Sequence, residues 1–310
     1  MPGLPSITVI GLGGVGGWYG GRLARAGAMV RFLVRRDVDL LRREGLHVES
    51  KEGAFHLPQV EAYDDPSAVP PSDLVLVALK TTANDQLPRL LPGLLAPGGA
   101  VALLQNGLGV EEEAAAVLPG ATILGGLCFL CSQKFGPNRI RHLDYGAVIF
   151  GQHGATGQTP WVDRAVATFA AAGLPAQAAP DLRAARWRKL AWNIPYNGLS
   201  VVLGANTRQL MQDADARALV ARLMAEVEAA AQADGHPVPA GAVAKMLVDT
   251  AAMVPYAPSM KLDFDARRPL EISAIYDRPL AAARVAGAVM PETRALRDQL
   301  AFLDRRNRGG

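Results

Sequence analysis

The sequence predicts an α/β fold in two parts: strands alternating with helices over residues 1–180, then helices alone over residues 181–310. Three observations carry this expectation. Short apolar runs alternate with helix-patterned stretches as far as residue 180, the rhythm of a parallel sheet with crossover helices. A glycine cluster follows the first of those runs directly. From Asp181 onward helical spacing takes over.

Residues 6–10 are a β-branched apolar run, and the glycines after them lead into a helix to about Ala26, closed by Gly27. Residues 29–34 read as a second strand. Residues 73–79 are almost continuously apolar, as in a strand buried on both faces. Residues 100–104, 121–130 and 147–150 are further strand candidates. In the second half, residues 214–233 form an alanine-rich helix with a Glu/Arg-decorated face. Residues 241–253 and 271–285 are further helices, and Pro291 opens the last one.

A chain of 310 residues, half of them hydrophobic, is long enough for two domains at roughly 100–200 residues each. A net charge of +3 is too small and too dispersed for a nucleic-acid surface. The Arg305-Arg306-Asn307-Arg308 stretch reads as a solvated end. Two cysteines, Cys128 and Cys131, imply no disulfide framework, and the chain reads as intracellular and cytoplasmic. The start lacks the basic region and cleavage site of a signal peptide, and no run of ~20 apolar residues predicts a membrane span. Cys128 and Cys131 lack a second cysteine pair or a spaced histidine, so no metal is expected. On a strand they would also point to opposite faces. The five histidines are scattered. Glu111-Glu112-Glu113 suits a helix start, where carboxylates favour the dipole.

Gly11-Leu12-Gly13-Gly14-Val15-Gly16 matches G-x-G-x-x-G in the context that makes the pattern specific: after a strand, opening a helix, inside a βαβ pattern. Such a turn lets backbone approach a pyrophosphate at a helix N-terminus, the arrangement of a Rossmann-like domain that binds a dinucleotide. The second strand ends Leu33-Val34-Arg35-Arg36, where an NAD site usually carries an acid. A guanidinium can pair with a 2′-phosphate, so Arg35 points to NADP. The rival arrangement uses Asp37 as the ribose acceptor. Lys80 and Asn106 each follow a strand, where open α/β sheets place ligands. Position alone leaves each of them either a ligand or a plain loop residue.

In the second half, Lys189, Asn193 and Asn197 are spaced i, i+4 and i+8, on one face of an otherwise apolar helix. Buried polar groups need partners, and spacing leaves these open to neighbouring helices or to a polar substrate.

The chain resembles the ketopantoate reductase (2-dehydropantoate 2-reductase) family from end to end. The matching landmarks are the glycine loop, Arg35, Val77-Ala78-Leu79-Lys80, Gln105-Asn106-Gly107, Trp187…Lys189…Asn193…Asn197, Pro258-Ser259-Met260, Asp263, Leu270-Glu271-Ile272 and Pro291. The resemblance implies an all-helical C-terminal domain of the 6-phosphogluconate dehydrogenase C-terminal-like type. It implies reduction of 2-dehydropantoate by NADPH, or of a related 2-oxo acid. Lys189 would hydrogen-bond the ketone oxygen and protonate the developing alkoxide, stabilising charge that grows in the transition state. Glu271 would sit near Lys189 and the nicotinamide. Asn193, Asn197 and Ser259 would hold the substrate's carboxylate and hydroxyl. Lys80, Asn106 and the segment around Cys131 would line the nicotinamide end.

Departures from the family pattern bear on the substrate. Gly198 stands where proline is frequent, Pro195 lies between the two asparagines, Thr207 (beside Asn206) takes the place of a further asparagine, and Tyr256 that of another. An interior proline is expected to kink the helix. Two alternatives stay open: a 3-hydroxyacid or opine-type dehydrogenase on the same scaffold, and a non-catalytic dinucleotide sensor. A homodimer is admitted by the apolar helical half but not fixed by the sequence.

Overall fold

The computed structural model describes residues 3–309 and divides into two compact units. The first runs to Gln105 and resumes from Val110 to Leu182. The second takes Asn106–Gly109 and the chain from Arg183 onward.

The first unit contains β1 (Ile7–Ile10), α1 (Gly14–Arg25), β2 (Val30–Leu33), α2 (Val38–Glu44), β3 (Leu46–Ser50), β4 (Phe55–Leu57), β5 (Glu61–Tyr63) and β6 (Ser72–Val77). It continues with α3 (Leu87–Leu90), β7 (Leu95–Leu103), α4 (Val110–Val117), β8 (Thr122–Gly136), β9 (Arg139–Gln152), α5 (Pro160–Ala171) and β10 (Ala176–Ala178). The sheet order is β4-β3-β9-β8-β7-β6-β1-β2-β5, with β10 beside β9. The run β8-β7-β6-β1-β2-β5 is parallel throughout, and β1 and β6, buried at every position but Asp73, read as the near-continuous apolar strands such a sheet needs. The mixed character comes from β8 and β9, a long antiparallel hairpin, and from β3 and β4.

That hairpin extends well past the expected strands at residues 121–130 and 147–150. Its outer part, from Ser132 to Gly136, is partly exposed and pairs with residues 139–142 rather than filling the core. Leu143 and Gly146 are unmatched residues of β9, so β9 is locally bulged. The sheet and α1 and α5 enclose one core, which includes Trp18, Tyr19, Phe32, Phe150 and Phe169.

The second unit is helical: α6 (Leu182–Val202), α7 (Thr207–Gln212), α8 (Ala214–Ala233), α9 (Ala242–Ala252), α10 (Ser259–Asp265), a π turn (Ser273–Asp277), α11 (Arg278–Val285) and α12 (Pro291–Asn307). Its core gathers Trp187, Tyr196, Met224, Tyr276 and Leu300 around α6 and α8. Burying each such side chain contributes about 1.5–3 kcal/mol. Asp234, just past α8, fastens α6: its carboxylate accepts from Arg183 Nε at 2.5 Å and Nη2 at 3.0 Å, and from Trp187 Nε1 at 2.7 Å. Burial pushes this carboxyl up, and those donors outweigh it and hold it below its ordinary value.

The Arg305-Arg306-Asn307-Arg308 stretch is not a loose end. It closes α12, and Asn307 Nδ2 donates to the Phe264 carbonyl at 2.6 Å. His47 and His56 are not isolated either, because they stack across β3 and β4 with centroids 4.0 Å apart. Among the described residues no helix is long and apolar enough to cross a membrane.

Candidate active site

In the first unit the glycine loop divides its labour residue by residue. Gly11 turns the chain at φ +98°, a conformation costly for any other residue, and a side chain there would press on Leu79. A Cβ on Gly16 would overlap the Gly11 carbonyl and reach within 3.0 Å of Ala78 Cβ. The third glycine therefore lets α1 lie close against the ends of β1 and β6. A Cβ on Gly14 would overlap the Ser132 carbonyl, so the loop rests on β8 beside Cys131. Gly13 is different. It is the N-cap of α1, no side chain caps it, no acid occupies the first turn, and a Cβ there would meet nothing within 4 Å. Open space thus faces unclaimed N–H groups at the positive end of a helix, which fits a pyrophosphate.

Arg35 is exposed just past β2 and has no hydrogen-bond or ion-pair partner among the described residues. The rival residue, Asp37, is engaged: its Oδ2 lies 3.5 Å from Lys134 Nζ. Lys80 is exposed and opens the 3-10 turn Thr81–Gln86 after β6. Gln105 braces this end of the sheet by donating to the Leu79 carbonyl at 3.0 Å and to Asn84 Oδ1 at 2.7 Å.

In the second unit α6 carries the predicted face. Lys189 (8% exposed), Asn193 (5%) and Asn197 (1%) are all buried in one uninterrupted helix, although Pro195 lies inside it. The reason for Gly198 is steric. A Cβ there would stand 2.6 Å from Tyr276 Oη and 2.6 Å from Leu296 Cδ2, and Tyr276 uses the room to donate to the Ile194 carbonyl at 2.9 Å. Asn197 Oδ1 accepts from Met260 N at 3.2 Å, so Asn197 anchors the first turn of α10, which Ser259 begins. Asn193 Nδ2, by contrast, is buried with no hydrogen-bond partner among the described residues. A buried amide left so costs about 1–3 kcal/mol unless something completes it.

Glu271 is buried just before the π turn, a helix irregularity frequent at functional sites. Asn106 reaches this unit through its loop. Leu108 N donates to the Ala274 carbonyl at 3.0 Å, Arg278 Nη1 donates to the Leu108 carbonyl at 3.3 Å, and a Cβ on Gly107 would come within 2.5 Å of Ala274. Lys189, Asn193, Asn197, Ser259, Glu271 and Asn106 therefore share the second unit, whereas the glycine loop, Arg35, Lys80 and Cys131 belong to the first. Sequence reasoning missed Gly107, Ala274 and Arg278 as the fastening of the Asn106 loop. The only hint was the Gly-Leu-Gly after Asn106, and a π turn has no sequence signature.

The altered positions turn out to be coupled. Thr207 N donates to the Tyr256 carbonyl, and Tyr256 N donates back to Thr207 Oγ1, both at 3.1 Å. Asn206 is committed to a capping box with Gln209 at the start of α7. The Tyr256 ring also packs against Trp192, with centroids 6.5 Å apart.

An open helix N-terminus over a βαβ turn marks a dinucleotide-binding enzyme, and a lysine buried beside amides suits an oxidoreductase of that class. Residues 7–155 match the family described as ketopantoate reductase PanE/ApbA, and residues 181–304 match its C-terminal counterpart. The chain belongs to that family. It is 49% identical over 307 residues to a 2-dehydropantoate 2-reductase of Nostoc sp., covering 98% of this chain and 96% of the relative. A crystal structure of a 2-dehydropantoate 2-reductase from Geobacter metallireducens superposes with a TM-score of 0.92 at 40% identity, covering 96% of this chain and 99% of that one. A ternary structure of D-mandelate dehydrogenase with NADH and anilino(oxo)acetate shares the fold, with a TM-score of 0.89 at 19% identity over 97% and 99% of the two chains.

Proposed function

We propose that this chain reduces 2-dehydropantoate to pantoate with NADPH, a step of pantothenate biosynthesis. The observation that carries the reading is Asn193. Its buried, unpartnered amide N–H lies one turn from Lys189, so the helix offers an unused donor beside a buried cation. An oxo acid with a carboxylate supplies the acceptor that is missing.

NADPH, when bound, supplies the hydride to the carbonyl carbon. Lys189 Nζ donates a hydrogen bond to the ketone oxygen and passes it a proton as the alkoxide forms. Glu271, buried in the same unit, orients that ammonium. Asn193 and Ser259 hold the substrate's carboxylate and hydroxyl. Asn197 acts on them through its bond to Met260, which fixes the start of α10. Lys80, Asn106 and the Cys131 segment line the nicotinamide end. The backbone from Gly11 to Gly16 cradles the pyrophosphate. NADP is favoured over NAD because Arg35 has no side-chain partner among the described residues while Asp37 faces Lys134. The apolar helical half admits a homodimer, which light scattering of the purified chain tests, and the cytoplasmic location is tested by cell fractionation.

The test is loss of the reduced-nicotinamide absorbance with 2-dehydropantoate, with NADPH and NADH run in parallel. Fast turnover with NADPH and much slower turnover with NADH supports the reading. Binding of NADPH without turnover of any 2-oxo acid would discard it in favour of a dinucleotide sensor.

A further inference from the structure

On α6 the polar face does not stop at Asn197. Asn193, Asn197 and Ser200 are spaced i, i+4 and i+7, so they share one side of the helix. Ser200 is fully buried, and its Oγ has no hydrogen-bond partner among the described residues. A buried hydroxyl in a helix commonly donates to the carbonyl one turn back. Thr168 in α5 and Thr250 in α9 do so, bonding the Arg164 and Met246 carbonyls at 2.7 Å each. Ser200 does not, so its hydroxyl is not spent on its own helix.

The polar groups around it are committed. Asn197 Oδ1 accepts from Met260 N, Thr207 Oγ1 accepts from Tyr256 N, and Asn206 caps α7 with Gln209. Among the described residues, the unmet buried side-chain groups of α6 are Asn193 Nδ2 and Ser200 Oγ, one on each side of Asn197. Seven residues of helix separate them by about 10.5 Å along the axis. Both side chains lean towards the N-terminus of α6, so the lean leaves that separation unchanged. A hydrogen bond of about 2.9 Å at each end leaves roughly 5 Å between the two atoms to be bound. That is the span from a carboxylate oxygen to a terminal hydroxyl oxygen across a four-carbon chain.

We propose that Ser200 is a specificity-determining residue, whose hydroxyl bonds the terminal hydroxyl of a 4-hydroxy-2-oxo acid held by its carboxylate at Asn193. This rests on the 2-oxo acid reduction proposed above and adds the residue that reads the far end of the substrate. A hydroxyl with no such task would be replaced by alanine at no loss, because alanine favours the helix and leaves nothing unsatisfied.

The test compares kcat/KM for 2-dehydropantoate and for 3,3-dimethyl-2-oxobutanoate, the same skeleton without the hydroxyl, in the parent chain and in S200A, with NADPH saturating. The parent is expected to prefer the hydroxylated acid by about a hundredfold or more, since a site built to bond a hydroxyl discriminates strongly against an analogue that lacks it. In S200A that preference should fall by about tenfold or more, through a higher KM for 2-dehydropantoate, while the KM for NADPH stays put. The melting temperature of S200A should be unchanged or higher, which separates lost recognition from lost folding. An unchanged preference in S200A, or an equal loss with both acids, would overturn the role of Ser200 and leave the reductase reading standing. Turnover of neither acid by the parent chain would overturn that reading, and this inference with it.

Discussion

Gly13 and Gly14 stand side by side in the loop and meet different surroundings, so the same change should have different effects. At Gly13 the backbone has φ −93° and a methyl would meet nothing, so G13A should leave stability within about 0.5 kcal/mol. It should nevertheless weaken dinucleotide binding by about tenfold or more, because the methyl occupies the approach of the pyrophosphate. At Gly14 the methyl would overlap the Ser132 carbonyl, and G14A should cost about 1–3 kcal/mol of stability. Calorimetric melting and a fluorescence titration with NADPH separate the two. Equal stability losses would remove this account of the loop. K189A should lower turnover by about 10²–10⁴ while NADPH still binds. Near-normal turnover would take Lys189 out of the chemistry. The residues of the loop were legible because a backbone that must turn and approach a ligand leaves glycine as its trace. The unpaired state of Arg35 and the engagement of Asp37 were not, because Lys134 lies far along the chain.

Among the elements, α6 concentrates both function and fold. G198A should destabilise by about 1–3 kcal/mol, since the added methyl would crowd Tyr276 and Leu296. Y276F, which removes only the hydrogen bond to the Ile194 carbonyl, should cost about 0.5–1.5 kcal/mol. Because the two changes touch one contact, their double mutant should be non-additive, and simple additivity in denaturant melts would refute the shared contact. The Asp234 clamp gives α6 a pH dependence. Its carboxyl lies lower folded than the ordinary value of 3.8, so its contribution is complete above about pH 4 and is lost as pH falls further. D234N should therefore be less stable than the parent at neutral pH, and the gap should narrow in acid. A gap that stays constant to low pH would show that the clamp is not electrostatic. Periodicity located the helices well: residues 214–233 and the start at Pro291 coincide with α8 and α12. It could not foresee that α6 continues through Pro195, because the packing that supports that stretch comes from Tyr276 and Leu296.

For the whole molecule, a ligand that binds only the folded chain raises its stability by mass action. NADPH at 100 times its dissociation constant should add about 2.7 kcal/mol, and NADH at the same concentration much less. An equal rise with both would remove the preference assigned to Arg35. Local patterning in the sequence by itself determined the alternation of strands and helices in the first half and the helical second half, the glycine turn, and the placing of Lys189, Asn193 and Asn197 on one helix. Each follows from neighbours a few residues apart. Tertiary structure alone decided that β8 and β9 form one long hairpin, that Gly107 and Leu108 dock on Ala274, and that Thr207 and Tyr256 hold each other. It also left Asn193 Nδ2 and Ser200 Oγ without partners among the described residues. The physical reason is the range of the interactions. Propensity and periodicity act along the chain, whereas pairing, steric fit and unmet hydrogen bonds depend on segments tens to more than a hundred residues apart.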